Sequence, residues 1–166
     1  MLALAFGLLA GCATPPPARE GLPWVSGQLA VRIAAVADQP EQSLSSLFDL
    51  RGDAEQGELR LSSPLGTLIA TLQWSPGSAR LLNGQGESRF DGLEALTRQM
   101  LGETLPVQAL PEWLAGRPWS GAPSTPTPDG FEQLGWRVGL SRLADGRLEA
   151  ERAQPPAVRV RVRLDR

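Results

Sequence analysis

The sequence has no histidine, no lysine and a single cysteine, Cys12. Without histidine it lacks the commonest general base, the usual nitrogen ligand for metals and the Ser–His or Cys–His nucleophile pair. One cysteine cannot close an intramolecular disulfide. The 18 acidic residues are spread singly, without a cluster spaced like metal ligands or an obvious paired acid and base. No P-loop, G-x-S-x-G, H-E-x-x-H or C-x-x-C motif occurs, and there is no internal repeat. These absences argue against most enzyme classes and against a bound metal or cofactor. All 16 basic residues are arginine, which reads as codon or genome bias more than as chemistry. The net charge of −2 gives no electrostatic footprint for nucleic acid.

What is present is a chain of 166 residues, the size of one domain and long enough to bury a sizeable core. Glycine (18) and proline (15) together fall short of a disordered composition and mark a chain with many turns. Met1 to Ala10 is almost wholly apolar and ends in Gly11 and Cys12. The run is too short to span a bilayer and matches the apolar core of a signal peptide. Leu9-Ala10-Gly11-Cys12 looks like a bacterial lipobox, in which small residues precede a cysteine that receives lipid. No charged residue precedes the run, so either the start lies upstream or the segment is truncated. Thr14 to Glu20, with Pro15-Pro16-Pro17, reads as a short stiff tether.

The body of the chain alternates. Trp24 to Val36 puts Val25, Gly27, Leu29, Val31 and Ile33 on one face, the pattern of a half-buried strand. Ser43 to Arg51 follows with Leu44, Phe48 and Leu50, then Gly57 to Ser63 with Leu59 and Leu61. Thr67 to Trp74 carries Leu68, Ala70, Leu72 and Trp74 on one face. Short strands are expected at Ala79 to Asn83 and Glu87 to Phe90. Successive strands with tight turns favour an antiparallel meander. Between two of them lies Ser63-Pro64-Leu65-Gly66, a turn in which Pro64 fixes φ and Gly66 takes a positive φ. Leu65 is an apolar residue at a turn tip. By itself it reads as a side chain folded back onto the core; the other reading is a hydrophobic finger for a membrane or lipid.

The period then changes. Asp91 and Glu94 suggest a capping box with Asp91 as N-cap. Leu93, Leu96, Met100 and Leu101 follow at helical spacing, and Gly102 suits the stop. A second short helix includes Leu110, Trp113 and Leu114, ahead of Gly116. Both helices have one apolar face, which would rest on the concave face of the sheet. Pro118 to Gly130 reads as a loop. Phe131 to Leu143 is strand-like, with Gly135-Trp136 as a turn or bulge, and Leu148 to Arg152 is another strand. Val158, Val160, Val162 and Leu164 alternate strictly with Arg159, Arg161 and Arg163, and the arginines read as a solvated outer face. From Arg137 onward there are 8 arginines against 4 acids, a weak bias towards an acidic partner or lipid headgroups.

In this order, Trp24-Val25-Ser26-Gly27-Gln28-Leu29-Ala30-Val31-Arg32, Leu61-Ser62-Ser63-Pro64-Leu65-Gly66, Leu105-Pro106-Val107, Trp113-Leu114-Ala115-Gly116-Arg117-Pro118 and Gln133-Leu134-Gly135-Trp136 resemble the LolB family of outer-membrane lipoproteins. The likeness covers essentially the whole mature chain. It departs at the C-terminus, where Asp165-Arg166 replaces an expected aromatic residue. The resemblance implies a mainly β fold: a curved, incomplete antiparallel β-barrel, half open, with short helices as a lid over an apolar cavity. It implies a signal peptide over 1–11, a lipidated Cys12 and Pro-rich tether over 12–22, and one domain over 23–166. The implied function is to accept client lipoproteins from a LolA-like periplasmic carrier by their acyl chains and to insert them into the outer membrane, as a monomer facing the periplasm. Pro64, Leu65 and Gly66 would form the membrane-insertion loop. Leu29, Val31, Phe48, Leu59, Leu61, Leu96, Met100 and Trp113, chosen from the apolar faces, would line the cavity. The alternative is a structural envelope lipoprotein without carrier activity. A lipid-anchored hydrolase using carboxylates is a third reading, weakened by the lack of histidine and of clustered acids.

Overall fold

The computed structural model describes residues 22–165. The strands expected from alternation form, and the chain runs as β1 (Val25–Ile33), β2 (Gln42–Gly52), β3 (Gly57–Ser62), β4 (Leu68–Ser75), β5 (Ser78–Asn83) and β6 (Gly86–Phe90). Helices α1 (Leu93–Leu101) and α2 (Leu110–Leu114) follow, with a 3-10 turn over Val107–Ala109 leading into α2. The chain then returns to strands β7 (Ser124–Thr127), β8 (Gly130–Gln133), β9 (Trp136–Gly139), β10 (Arg147–Arg152) and β11 (Val158–Leu164). All eleven strands make one antiparallel sheet in the order β6-β5-β4-β3-β2-β1-β11-β10-β9-β8-β7. The first and last strands of the chain body, β1 and β11, close its centre side by side, with Leu29 opposite Val162 and Val31 opposite Val160. β6 and β7 are the free edges and do not pair with each other, so the sheet stays open.

Period-2 alternation decides which face is buried. Leu29, Val31, Ile33, Phe48, Leu50, Leu59, Leu61, Leu72, Trp74, Val138, Leu148, Val158, Val160 and Val162 are all buried on one face, each such side chain worth roughly 1.5–3 kcal/mol. Leu93, Leu96, Val107, Ala109 and Trp113 of the helical segment belong to the same core. The other face carries the charge, including Arg159, Arg161 and Arg163. Near the entry to β1 that face holds a compact network. The guanidinium carbons of Arg51 and Arg60 each lie 4.5 Å from the Trp24 ring centroid. Glu58 is buried beneath them and accepts hydrogen bonds from Arg51 Nη2 at 3.1 Å and Arg60 Nε at 2.6 Å. Burial opposes ionisation of Glu58, but the bonds and charges of Arg60 and Arg51 outweigh it, and its pKa is lowered from 4.5.

Four local expectations are corrected. The N-cap of α1 is Gly92 and not Asp91, with no side-chain cap bond. The helix thus starts one residue late for a capping box, leaving Glu94 only the helix dipole to favour it. The segment read as a loop over 118–130 contains β7, a four-residue edge strand with no buried face to give it a period. Pro126 is tolerated there because an edge strand need not donate on both sides. The turn near residue 135 is Leu134-Gly135, at φ 54° and 78°, the two positive values of a two-residue hairpin loop. Trp136 is the buried first residue of β9.

The fourth concerns Leu68, expected beside Ala70, Leu72 and Trp74. Leu61 pairs with Ala70, but Ser62 pairs with Leu68, so Ile69 is the extra residue of a β-bulge. One inserted residue reverses the facing of everything beyond it. Leu68 therefore lies on the Ser62 side, 57% exposed, and Ile69 is 47% exposed.

Candidate functional site

The inner faces of the central strands converge on a small cavity. Its sheet wall is Leu29 and Val31 of β1, Leu44 of β2, Leu59 and Leu61 of β3, Leu72 of β4, Trp136 of β9 and Val160 of β11. The opposite wall is Thr97, Met100 and Leu101 of α1, the Leu105-Pro106-Val107 segment, Leu110 and Trp113. All the surface it presents is apolar. Thr97 fits because its hydroxyl is turned to the backbone, donating to Glu94 O at 3.3 Å and accepting from Leu105 N at 3.1 Å. The volume is about 50 Å³. That is room for a water or two, well below the roughly 300–1,000 Å³ of pockets that enclose organic ligands. In this conformation the helices rest almost directly on the sheet.

Six of the eight residues expected to line the cavity do so: Leu29, Val31, Leu59, Leu61, Met100 and Trp113. Phe48 and Leu96 are buried in the core but are not part of the lining. Leu96 lies one turn before Met100 on the same helix face, and it is fully buried in the core beside the cavity and not in its wall. Besides Thr97 and the Leu105-Pro106-Val107 segment, Leu44, Leu72, Leu101, Leu110, Trp136 and Val160 join the lining. Of these six, all but Trp136 lie on apolar faces visible in the sequence. Trp136 was hidden by its reading as part of a turn.

The two helices are held differently. Trp113 of α2 is fully buried, makes an edge contact with Phe131 at 6.2 Å and a tilted one with Trp136 at 6.4 Å, and donates its indole N–H to Gln133 Oε1. Gln133 also accepts from Trp119 N, and its Nε2 donates to Trp119 O and Ala122 O. The amide thus uses two donors and two acceptor sites. Helix α1 rests on β5 and β6, and just beyond its end Glu103 Oε2 accepts a 2.6 Å bond from Arg152 Nη2 of β10. Gly102 ends α1 in the left-handed conformation at φ 72°.

The Ser63–Gly66 turn is well formed. Gly66 N donates to Ser63 O and Ser63 N to Thr67 O, both at 2.8 Å, while Ser63 Oγ accepts from Thr67 N. Gly66 has φ 84° with open space where a Cβ would stand, so glycine is needed there for conformation and not for clearance. Leu65 is 94% exposed. The core-packing reading of this residue is thereby excluded. The bulge sets Leu68 and Ile69 outward at the foot of the same turn, so the tip is apolar over more than one residue.

Cys12, the signal segment 1–11 and all but the last residue of the 12–22 tether lie outside the described residues. Among the described residues no group of three or more Cys, Asp or Glu could hold a metal ion, and no helix is long and apolar enough to cross a membrane.

A family model described as "Outer membrane lipoprotein LolB" matches residues 24–165, from Trp24 to the residue after the last strand. The chain is 34% identical to the outer-membrane lipoprotein LolB of Bordetella petrii, over 95% of this chain and 85% of the relative. It is 35% identical to the outer-membrane lipoprotein LolB of Chromobacterium violaceum, over 87% and 82%, and 31% identical to that of Neisseria meningitidis serogroup A, over 85% and 76%. The aligned stretch takes in the cavity-lining strands, both helices and the Leu65 turn, and on this match the chain belongs to the LolB family.

Proposed function

We propose that the chain is an outer-membrane lipoprotein receptor. It accepts client lipoproteins from a LolA-like periplasmic carrier by taking their acyl chains between sheet and helices, and it inserts them into the outer membrane. Residues 1–11 are the signal segment, Cys12 carries the anchoring lipid, residues 12–22 are the tether, and residues 23–166 form the working domain, a half-open β-barrel acting as a monomer that faces the periplasm. Helix α1 and the α2 segment are its lid.

The observation that carries this reading is the all-apolar cavity between the sheet and the helices. Only a ligand without polar groups gains by entering such a space, at about 25 cal/mol per Å² of apolar surface removed from water. Thr97, the polar residue in the wall, spends its hydroxyl on the backbone; a polar group aimed into the space would instead have suggested a headgroup or a reacting centre. The closed volume sets a condition on the mechanism: an acyl chain enters only after the helical wall moves outward. α1 is the side to move, since α2 is fixed through the buried Trp113–Gln133 bond, whereas the segment just after α1 is tied to β10 by the partly exposed ion pair Glu103–Arg152. Delivery then follows the downhill direction from carrier to cavity to bilayer. No nucleotide is needed if each site holds the chains more favourably than the one before. Leu65, with no partner in the fold, makes the contact with the membrane.

A client lipoprotein bearing a photoreactive group in its acyl chain tests this. Irradiation of the complex should place cross-links in the peptides containing Met100, Leu101 and Leu105 and in those containing Leu59 and Leu61. Cross-links confined to the outer face of the sheet would overturn the proposal.

A further inference from the structure

The alternating arginines of β11 divide into two groups. Arg159 pairs with Glu149 at 3.2 Å and also with Glu151, and Arg161 pairs with Glu149 at 3.5 Å. These two are the neutralised outer face expected of a sheet. Arg163 is different. Its cross-strand neighbour on β10 is Arg147, so two like charges stand directly opposite each other, an arrangement that is ordinarily destabilising. Arg142, before the 3-10 turn Leu143–Asp145, borders the same cleft. The side chains of Arg142, Arg147 and Arg163 make no ion pair or hydrogen bond with any described residue. The cleft has a volume of about 700 Å³ and is bordered also by Gln28, Asp145, Leu164 and Asp165. Three guanidiniums against two carboxylates leave it positive.

Its position is as informative as its charge. Gln28, which faces the cleft, is the register partner of Arg163, and Asp165 N donates to Ser26 O at 2.9 Å. The cleft therefore sits beside the first residues of β1, where the chain arrives from Cys12. Once Cys12 holds the chain to a leaflet, this is the part of the domain that lies nearest the anchor along the sequence.

We propose that Arg142, Arg147 and Arg163 form a binding cleft for phosphate-bearing lipid headgroups of the leaflet that holds the anchor, a second membrane contact separate from the Leu65 turn. This rests on the reading of Cys12 as the lipid-carrying residue only for its biological setting; headgroup binding by the cleft is a property of the domain. Planar guanidiniums gathered on one cleft suit phosphate oxygens. Each arginine near an anionic surface should strengthen binding about fivefold, and the gain should fade as salt shortens the screening length to about 10 Å at 0.1 M.

The test uses the mature chain from residue 12 with Cys12→Ala, so that no acyl anchor contributes, and vesicles of phosphatidylcholine with or without phosphatidylglycerol. Binding should rise on the order of a hundredfold with the anionic lipid at low salt. The triple variant Arg142→Gln, Arg147→Gln, Arg163→Gln should lose this rise, while Leu65→Glu should keep it. Inorganic phosphate should compete no better than chloride of equal ionic strength. The proposal is overturned if the triple variant keeps the anionic preference, or if the parent chain has none. It is also overturned if phosphate alone displaces the protein, which would make the cleft a soluble-anion site. If the variant binds vesicles normally but no longer receives lipoprotein from the carrier, the cluster serves an acidic protein surface instead. Processing at Cys12 is followed separately by the mass and membrane fractionation of the Cys12 chain, so failure of the anchor is distinguishable from failure of the cleft.

Discussion

Trp113 donates its indole N–H to Gln133 Oε1 at 2.9 Å, and the two residues are 1% and 2% exposed. This bond ties the helical wall of the cavity to strand β8, and it is one of four that the Gln133 amide makes. Replacing Gln133 by leucine keeps the volume roughly but strands Trp113 Nε1, Trp119 N, Trp119 O and Ala122 O. Since each buried polar group left without a partner costs about 1–3 kcal/mol, partly recovered by relaxation, the loss of stability should be on the order of 2–4 kcal/mol. Urea unfolding measures it; a loss under about 0.5 kcal/mol would mean that α2 is held by packing alone.

The ion pair between Glu103 and Arg152 acts on the other helix. Its side chains are 21% and 17% exposed, and Arg152 also donates to Pro156 O at 3.2 Å and lies over the Trp136 ring at 5.7 Å. Glu103→Gln should cost about 1 kcal/mol in stability, as a partly screened pair does. If opening of α1 limits entry to the cavity, the same change should speed uptake of an apolar fluorophore by up to about fivefold, the rate equivalent of that energy. Stopped-flow fluorescence reads the rate. Unchanged uptake with reduced stability would place the moving element elsewhere.

Glu58 predicts a pH dependence. Its folded pKa is depressed below 4.5 because Arg60 and Arg51 stabilise the carboxylate more than burial destabilises it. A depressed carboxylate binds fewer protons in the folded state than in the unfolded one, so stability rises with pH across its titration. The contribution is complete above about 4.5 and is lost as pH falls through the lower folded value. Glu58→Gln should therefore be less stable than the parent at pH 7, with the gap narrowing below pH 4.5. A gap constant from pH 7 to pH 3 would contradict the assigned coupling. Since Arg51 and Arg60 also hold Trp24, acid should loosen the start of β1 before the central strands, which amide hydrogen exchange resolves.

The sequence was most legible where one face meets the core and the other meets water. β1, β3 and β11 read directly from alternation, as did the apolar side of α1 and the glycine that ends it. Legibility failed where a local event resets the period. The bulge at Ile69 turned Leu68 to the outside without any glycine or proline to announce it. The edge strand β7 buries neither face, so composition alone made it a loop. Leu134 takes a positive φ that leucine disfavours, and the turn was misplaced by one residue, which concealed Trp136 from the cavity. The cavity wall was readable as a set of apolar faces, but the choice among them was not. Phe48 and Leu96 satisfy the same pattern as Leu59 and Met100, and only the relative placement of helix and sheet separates core from lining.

Leu65→Glu isolates the membrane contact. The side chain is 94% exposed and touches no core residue that would report its loss, so stability should change by no more than about 0.5 kcal/mol. Acyl-chain uptake from the carrier should be unaffected, because Leu65 stands at an exposed turn tip and is not part of the cavity lining. The most direct measurement starts from a carrier loaded with labelled lipoprotein, the mature chain and lipid vesicles, without nucleotide, and follows the label by flotation. The parent chain should move the label from carrier to vesicle, and the Leu65→Glu chain should take it from the carrier and retain it in solution. Label that never leaves the carrier in the presence of the parent chain would contradict the receptor function itself.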